Sequence, residues 1–234
     1  MKIAIIRDGY TDYRVIRQFV SAIFEKHHAV SLTDEHFFDF EDLNIGSPIQ
    51  QYIRKTKQAD ELKKSIINVL YTAVKKFNSA GDLIILNSDA EKPLGKKNDY
   101  FQECSYSLYG VVTSAIDEFY DNNIAWGHNY EKLPLILPLI LFPSSEILVA
   151  ATMYDFNKEN FRNLKPKPDL KQKVYGTDSM NEAVKSGKLD EVLSAFVIPE
   201  SLGDIYREIP EARKLIQILS FSCNRKLGEC AHTG

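Results

Sequence analysis

Carboxylates follow three apolar segments of this 234-residue sequence, each at the point where a segment ends. Asp8 follows the first segment, Asp89 and Glu91 follow the second, and Glu146 follows the third. A carboxylate beside a buried strand is energetically unfavourable unless solvent, a partner or a metal receives its charge. If these acids meet, their mutual repulsion raises their pKa values unless a divalent cation binds among them. Oxygen ligands alone suit Mg²⁺ or Mn²⁺ rather than zinc, so the pattern predicts a site for one of those two ions.

The three apolar segments are predicted to be strands of one sheet. They are Ile3–Ile6, Leu83–Leu86 and 133–142, short runs that are typical of strands buried on both faces. Helical patterns separate them, which predicts an α/β fold with a mainly parallel central sheet and helices on both faces. Sheets of this kind place ligands at the carboxyl ends of their strands, where the acids lie. Pro138 removes a ladder donor from the third strand and therefore predicts a bulge or an edge position.

Apolar residues at helical spacing predict the helices around these strands. After the turn at Gly9, either Thr11 or Asp12 is expected to cap the first helix. A helical insertion is predicted at about 48–78, with a break near 58–60. Further helices are predicted at 106–120, 181–196 and 210–221, the last with proline at its first position.

Two of the acids also have an ordinary structural explanation. Asp12 and Glu146 each stand at the start of a predicted helix. A carboxylate there caps free backbone N–H groups and complements the helix dipole. Asp8 and Asp89 directly follow buried strands, and that explanation fits them less well.

Composition and charge limit the class of protein. The formal net charge is −3, which argues against a protein that wraps nucleic acid by bulk positive charge. Three scattered cysteines favour a reducing, cytoplasmic setting. Cys223 and Cys230 with His232 lack the usual spacing of a zinc site. The most apolar stretch, 133–142, is too short to span a bilayer.

A basic segment follows the third strand and its helix. Between residues 157 and 173 there are six basic residues and two acids, with two prolines. This composition is typical either of a surface that contacts a nucleic-acid backbone or of a solvated loop. The chain is predicted to divide into two parts. Residues 1–155 form an α/β core, and residues 156–234 form the basic segment and a helical C-terminal extension, which is expected to pack on the same domain.

The order of the acidic motifs resembles the Toprim domain family. Asp8 and Gly9 with Asp12, after an N-terminal strand, resemble the Glu-Gly-x-x-Asp opening of Toprim domains. Asp89 and Glu91 resemble their later Asp-x-Asp motif, and a further acid before a helix, as at 146, occurs in several stand-alone Toprim-like families. The resemblance covers roughly residues 1–155. The chain departs from it by carrying aspartate at position 8 and glutamate at position 91.

The resemblance implies a stand-alone Toprim-type nuclease, related to the overcoming-lysogenization-defect nucleases. Asp8, with Asp12, would serve as the general acid and base, and Asp89, Glu91 and Glu146 would hold Mg²⁺ or Mn²⁺. Lysine and arginine side chains near the acids and in the basic segment would hold the nucleic-acid backbone. These predicted contacts are Lys92, Lys96, Lys97, Lys158, Arg162, Lys165, Lys167 and Lys171, together with Lys173.

The expected substrate is DNA or RNA, which the sequence does not distinguish. Stand-alone relatives imply an ATPase partner in a defence-type or toxin-like role, and a homodimer is a further expectation, without a membrane. Two alternatives remain open. One is a Mg²⁺-dependent phosphohydrolase that acts on a small phosphorylated substrate, and the other is a non-catalytic Toprim-like binding module.

Overall fold

The computed structural model describes ten ranges of the chain. They are 1–7, 9–40, 45–53, 58–77, 83–90, 107–127, 133–153, 155–164, 169–196 and 201–226. The chain divides into two compact units. Unit 1 comprises Met1–Tyr13 and Asp34–Ser144, and unit 2 comprises Arg14–Thr33 and Ser145–Gly234.

The described residues form an α/β fold with four strands. The strands are β1 (Ile3–Ile6), β2 (Phe37–Phe40), β3 (Leu83–Asp89) and β4 (Leu135–Leu141). The helices are α1 (Tyr10–His28), α2 (Gly46–Ile53), α3 (Ala59–Lys76), α4 (Leu108–Ala125), α5 (Glu146–Ala150), α6 (Lys158–Asn163), α7 (Lys171–Tyr175), α8 (Met180–Lys185), α9 (Lys188–Phe196), α10 (Ser201–Glu208) and α11 (Pro210–Lys226). A 3₁₀ turn, Asp34–His36, precedes β2.

All four strands are parallel and lie in the order β2-β1-β3-β4. Ile5 is in register with Asp39 of β2 and with Ile85 of β3, and Asp89 is in register with Leu141 of β4. Helices flank the sheet, as the alternation of strand and helix patterns predicts. The predicted parallel α/β architecture, with a helical C-terminal region, is therefore confirmed.

One face of the sheet packs against helices α2, α3 and α4 to form the core of unit 1. The even-numbered residues of the strands, such as Ala4, Ile84 and Ile136, supply the sheet side of this core. On α3, Ile66 and Leu70 lie one turn apart and are both fully buried in it. The odd-numbered strand residues point to the opposite face, because side chains alternate along a strand. They too are buried over most of β1 and β3.

Pro138 lies in β4, which is an edge strand of the described sheet. The hydroxyl of Tyr120 on α4 accepts a hydrogen bond from Ile136 N at 2.8 Å and donates one to Pro134 O at 2.8 Å. The backbone N–H and C=O groups of the even-numbered residues of β4 therefore face away from β3. Pro138 has the same parity as Ile136, so its missing N–H faces this outer side and breaks no bond to β3. The predicted edge position is confirmed.

The helical insertion is two helices, and α3 begins at Ala59, within the predicted break. Gly187 adopts φ +74°, a left-handed conformation that glycine tolerates, and separates α8 from α9. The prediction of one helix at 181–196 is therefore wrong, because this glycine ends α8 with a turn. Pro210 opens α11, as expected.

Unit 2 contains helices α5 to α11 and the part of α1 from Arg14 onward. Its buried residues include Leu148, Leu189, Ile205 and Ile216. The His28 ring contacts the Leu219 carbonyl at 2.9 Å, so α1 and α11 are joined within this unit. No helix in the described ranges combines the length and apolarity that a membrane-spanning segment needs.

Candidate functional site at the carboxyl edge of the sheet

Asp89 is the last residue of β3, a central strand, and its side chain is partly exposed. Two hydrogen bonds fix the backbone around it. Gln50 of α2 donates from Nε2 to Asp89 O at 3.2 Å, and Ala90 N donates to Leu141 O at 2.8 Å. The carboxylate is therefore held at the carboxyl end of a parallel sheet, where such sheets bind ligands. Asp8 and Glu91, the acids predicted to act with it, lie outside the described residues.

Asn87 lies two residues before Asp89, on the same face of β3. Its side chain is fully buried, and Nδ2 donates to Leu139 O at 3.0 Å. Among the described residues, Oδ1 of Asn87 is a buried atom without a hydrogen-bond partner. An unsatisfied buried acceptor of this kind costs about 1–3 kcal/mol. Sequence reasoning missed Asn87, although a polar residue directly after the apolar run Leu83–Leu86 is a visible signal.

Sequence reasoning also missed an ion pair at this edge, between Arg7 and Asp39. Arg7 follows β1 and is 4% exposed, and its guanidinium makes two hydrogen bonds to Asp39 of β2. The Nε–Oδ1 distance is 2.6 Å and the Nη2–Oδ2 distance is 2.8 Å. This bidentate geometry is the strongest form of an arginine–carboxylate contact. It joins β1 to β2 immediately before position 8.

Asp12 is the third residue of α1 and is 6% exposed. Its Oδ2 accepts a hydrogen bond from Gly9 N at 2.8 Å, so the side chain reaches back to the residue that precedes the helix. This is one half of a capping box. A Cβ at Gly9 would lie 3.0 Å from that same oxygen, which explains the glycine. Asp12 therefore helps to cap the helix from its third position, but α1 begins at Tyr10, so the prediction that the helix starts after Thr11 or Asp12 is wrong.

Glu146 begins α5 in unit 2 and is 1% exposed. Lys171 Nζ lies 3.6 Å from its Oε1, and the lysine side chain is itself only 13% exposed. A predicted metal ligand and a predicted nucleic-acid contact are thus paired with each other. A buried carboxylate needs such a cation, so the pair supplies a structural reason for both residues.

Arg162 of α6 is also engaged within unit 2. It makes two hydrogen bonds of 2.7 Å to Glu211 at the start of α11, and the two side chains are 14% and 2% exposed. Little of this guanidinium is left to meet a nucleic-acid backbone. Lys173, by contrast, is half exposed and lies 3.3 Å from the exposed Asp155.

Lys158 lines an open groove of about 700 Å³ in unit 2. The groove also carries Asp204, Arg207 and Glu208, and the arginine hydrogen-bonds both acids. These contacts raise the pKa of Arg207 above its ordinary value, the hydrogen bond to Glu208 being the largest cause. The charges in this groove are mixed, so it is not a basic surface as a whole.

The other predicted contacts, Lys92, Lys96, Lys97, Lys165 and Lys167, lie outside the described residues.

The side-chain oxygen atoms at the described edge suit a divalent cation that prefers oxygen ligands. Asp89 offers a carboxylate, and Asn87 offers an amide oxygen on the same strand face. Oxygen atoms of both kinds are ligands of divalent cations such as Mg²⁺. No group of three or more histidine, cysteine, aspartate or glutamate residues suited to a metal occurs among the residues with described positions.

Comparisons with protein-family models, with curated proteins and with solved structures found no match to this chain.

Proposed function

We propose that this chain is a Mg²⁺-dependent phosphodiesterase that cleaves nucleic acid at the carboxyl edge of the unit 1 sheet, in a cytoplasmic setting. One observation supports the proposal above the others. Asp89 ends a central strand of an all-parallel sheet and is a partly exposed residue there. The order of the acids in the sequence, which resembles that of Toprim nucleases, gives this edge its proposed chemistry.

In this proposal Asp89 and Glu91 hold the cation, and Asp8 transfers the proton during phosphodiester cleavage. When bound, the metal neutralises charge on the phosphate and activates water. Asp8 follows Arg7, whose pairing with Asp39 fixes the preceding backbone. We leave Glu146 out of the proposed ligands because Lys171 already compensates its charge.

Lysine side chains would hold the phosphodiester backbone that an acidic edge repels. The proposed set is Lys92, Lys96, Lys97, Lys158, Lys165, Lys167 and Lys173. Arg162 and Lys171 are left out of it, because each is mostly buried against a carboxylate. An ATPase partner, which the resemblance implies, and a homodimer are further parts of the proposal.

A cleavage assay separates this proposal from its alternatives. The purified chain would be incubated with single- and double-stranded DNA and RNA in Mg²⁺, in Mn²⁺ and in EDTA, and in parallel with small phosphate esters. The proposal predicts metal-dependent cleavage of at least one nucleic acid. Phosphate release from small esters without cleavage would favour the phosphohydrolase. Nucleic-acid binding without any hydrolysis, with or without an added ATPase, would favour the binding module.

A further inference from the structure

The buried amide of Asn87 has an orientation that its hydrogen bond decides. Leu139 O can only accept a hydrogen bond, so the group that faces it at 3.0 Å must be the NH₂ of the amide. The amide oxygen therefore faces away from that carbonyl. That oxygen is buried and, within the described part of the chain, has no hydrogen-bond partner.

The residue before Asn87 on its strand face and its partner on β4 are both apolar. Ile85 precedes it on the same face of β3, and Leu139 is its register partner on β4. Asparagine is disfavoured within strands, and an apolar side chain of similar size would leave no unsatisfied acceptor. Asparagine at this position is explained if a hydrogen-bond donor or a cation binds to its amide oxygen.

The described charges around Asn87 favour a cation, because Arg7, which follows Ile6 on β1, is already paired with Asp39, and Asp89 adds a further negative charge. Asp89 is the next residue along this face, about 6.6 Å away along the strand at about 3.3 Å per residue. A second acceptor and a carboxylate repel anions but attract a divalent cation and the donor hydrogens of its bound water. Mg²⁺ keeps several waters in protein sites and lies about 2.1 Å from each ligand, so an ion on Asp89 brings its waters toward Asn87.

We infer that the amide oxygen of Asn87 is a ligand of the divalent cation held by Asp89, directly or through one of the waters on that cation. The inference rests on the location of the proposed active edge but not on cleavage. On this inference β3 binds the cation through two residues on the same strand face, Asn87 and Asp89.

Mn²⁺ binding to the full chain tests the inference without any substrate. Isothermal titration and thermal unfolding with and without Mn²⁺ would compare wild type with Asn87→Leu, which removes the oxygen, and Asn87→Asp, which makes it anionic. The matched control is Asn123→Leu. Asn123 is a buried asparagine of α4 in the same unit, and its Nδ2 donates to Phe119 O within its own helix.

Asn87→Leu should fold and bind Mn²⁺ about 10- to 100-fold more weakly, the usual effect of removing an outer metal contact. Asn87→Asp should bind Mn²⁺ more tightly than wild type, and Asn123→Leu should bind it as wild type does. Unchanged Mn²⁺ affinity in Asn87→Leu, or no tightening in Asn87→Asp if the leucine variant fails to fold, would overturn the inference. Absence of Mn²⁺ binding by wild type would overturn it as well. If Asn87-dependent binding is found but no nucleic acid is cleaved, the inference stands and the proposed function fails.

Discussion

Lys171 Nζ lies 3.6 Å from Oε1 of Glu146, and both side chains are almost entirely withdrawn from solvent. Glu146 opens the short helix α5, and Lys171 opens α7, so the pair joins two helices of unit 2. A buried carboxylate that loses its cation is an uncompensated charge in a poorly polarisable environment. The contact therefore makes both residues important for the stability of unit 2.

Replacing Lys171 by methionine should reduce the free energy of unfolding by roughly 1.5–3 kcal/mol, the range for a bond between charged groups, because it removes one partner of a buried pair. Urea unfolding followed by circular dichroism measures this change. Lys173→Met is the matched control, since Lys173 lies on the same helix in an exposed pair with Asp155. That variant should stay within about 0.5 kcal/mol of wild type. Equal losses in the two variants would contradict a special role for Lys171.

Arg162→Met should destabilise the chain more, by about 3–5 kcal/mol, because it leaves Glu211 buried without its bidentate partner. Arg207→Met is the control. Arg207 also contacts two carboxylates but is 66% exposed, so its loss should change the urea midpoint little. Nucleic-acid affinity, measured under conditions in which Arg162→Met is folded, should be unchanged. A large loss of affinity in the folded variant would return Arg162 to the binding surface.

Asp39→Asn should weaken the link between β1 and β2. The substitution keeps the shape of the side chain but removes the carboxylate from the bidentate pair with the buried guanidinium of Arg7. We expect a loss of about 1.5–3 kcal/mol, the range for hydrogen bonds to charged groups. Asp117→Asn makes the same chemical change at an exposed position of α4 and should be nearly neutral. A neutral Asp39→Asn would show that the pair contributes no stability.

Lys165→Ala combined with Lys167→Ala should weaken nucleic-acid binding and reduce its salt dependence. Each lost phosphate contact lowers the slope of log K against log salt by about 0.7 to 0.9. Fluorescence anisotropy over a salt series measures the slope. The control is Lys64→Ala with Lys75→Ala, two exposed lysines of α3. The same reduction in both double variants would mean that binding follows total charge and not the basic segment.

Much of the sheet follows from the sequence because β1, β4 and the first four residues of β3 are apolar runs of the kind that strands bury. Pro138 also indicates that its strand lies at an edge of the sheet, because a residue without a backbone N–H is tolerated there. The contacts of the polar residues do not follow from the sequence. Arg7 meets Asp39 only because β2 pairs with β1 in one register, and periodicity does not encode which strand lies next to which.

Asn87 could be noticed in the sequence as a polar residue at the end of an apolar run. Its unsatisfied oxygen could not, because that depends on the Leu139 carbonyl in the neighbouring strand. Asp12 and Glu146 illustrate a related limit. An acid at a helix start gives the same sequence pattern whether it caps the helix, pairs with a lysine or binds a metal, and only the partners distinguish these roles.

The most direct test of the central claim is single-turnover cleavage by wild type, Asp89→Asn, Asp8→Asn and the control Asp117→Asn, with Mg²⁺ on the best nucleic-acid substrate. Asparagine keeps the size of aspartate but cannot accept a proton or offer an anionic ligand. We predict that Asp8→Asn and Asp89→Asn each slow cleavage by roughly 10²-fold or more while nucleic-acid binding stays nearly intact. Asp117→Asn should cleave as wild type does. Undiminished cleavage by Asp89→Asn would contradict the account.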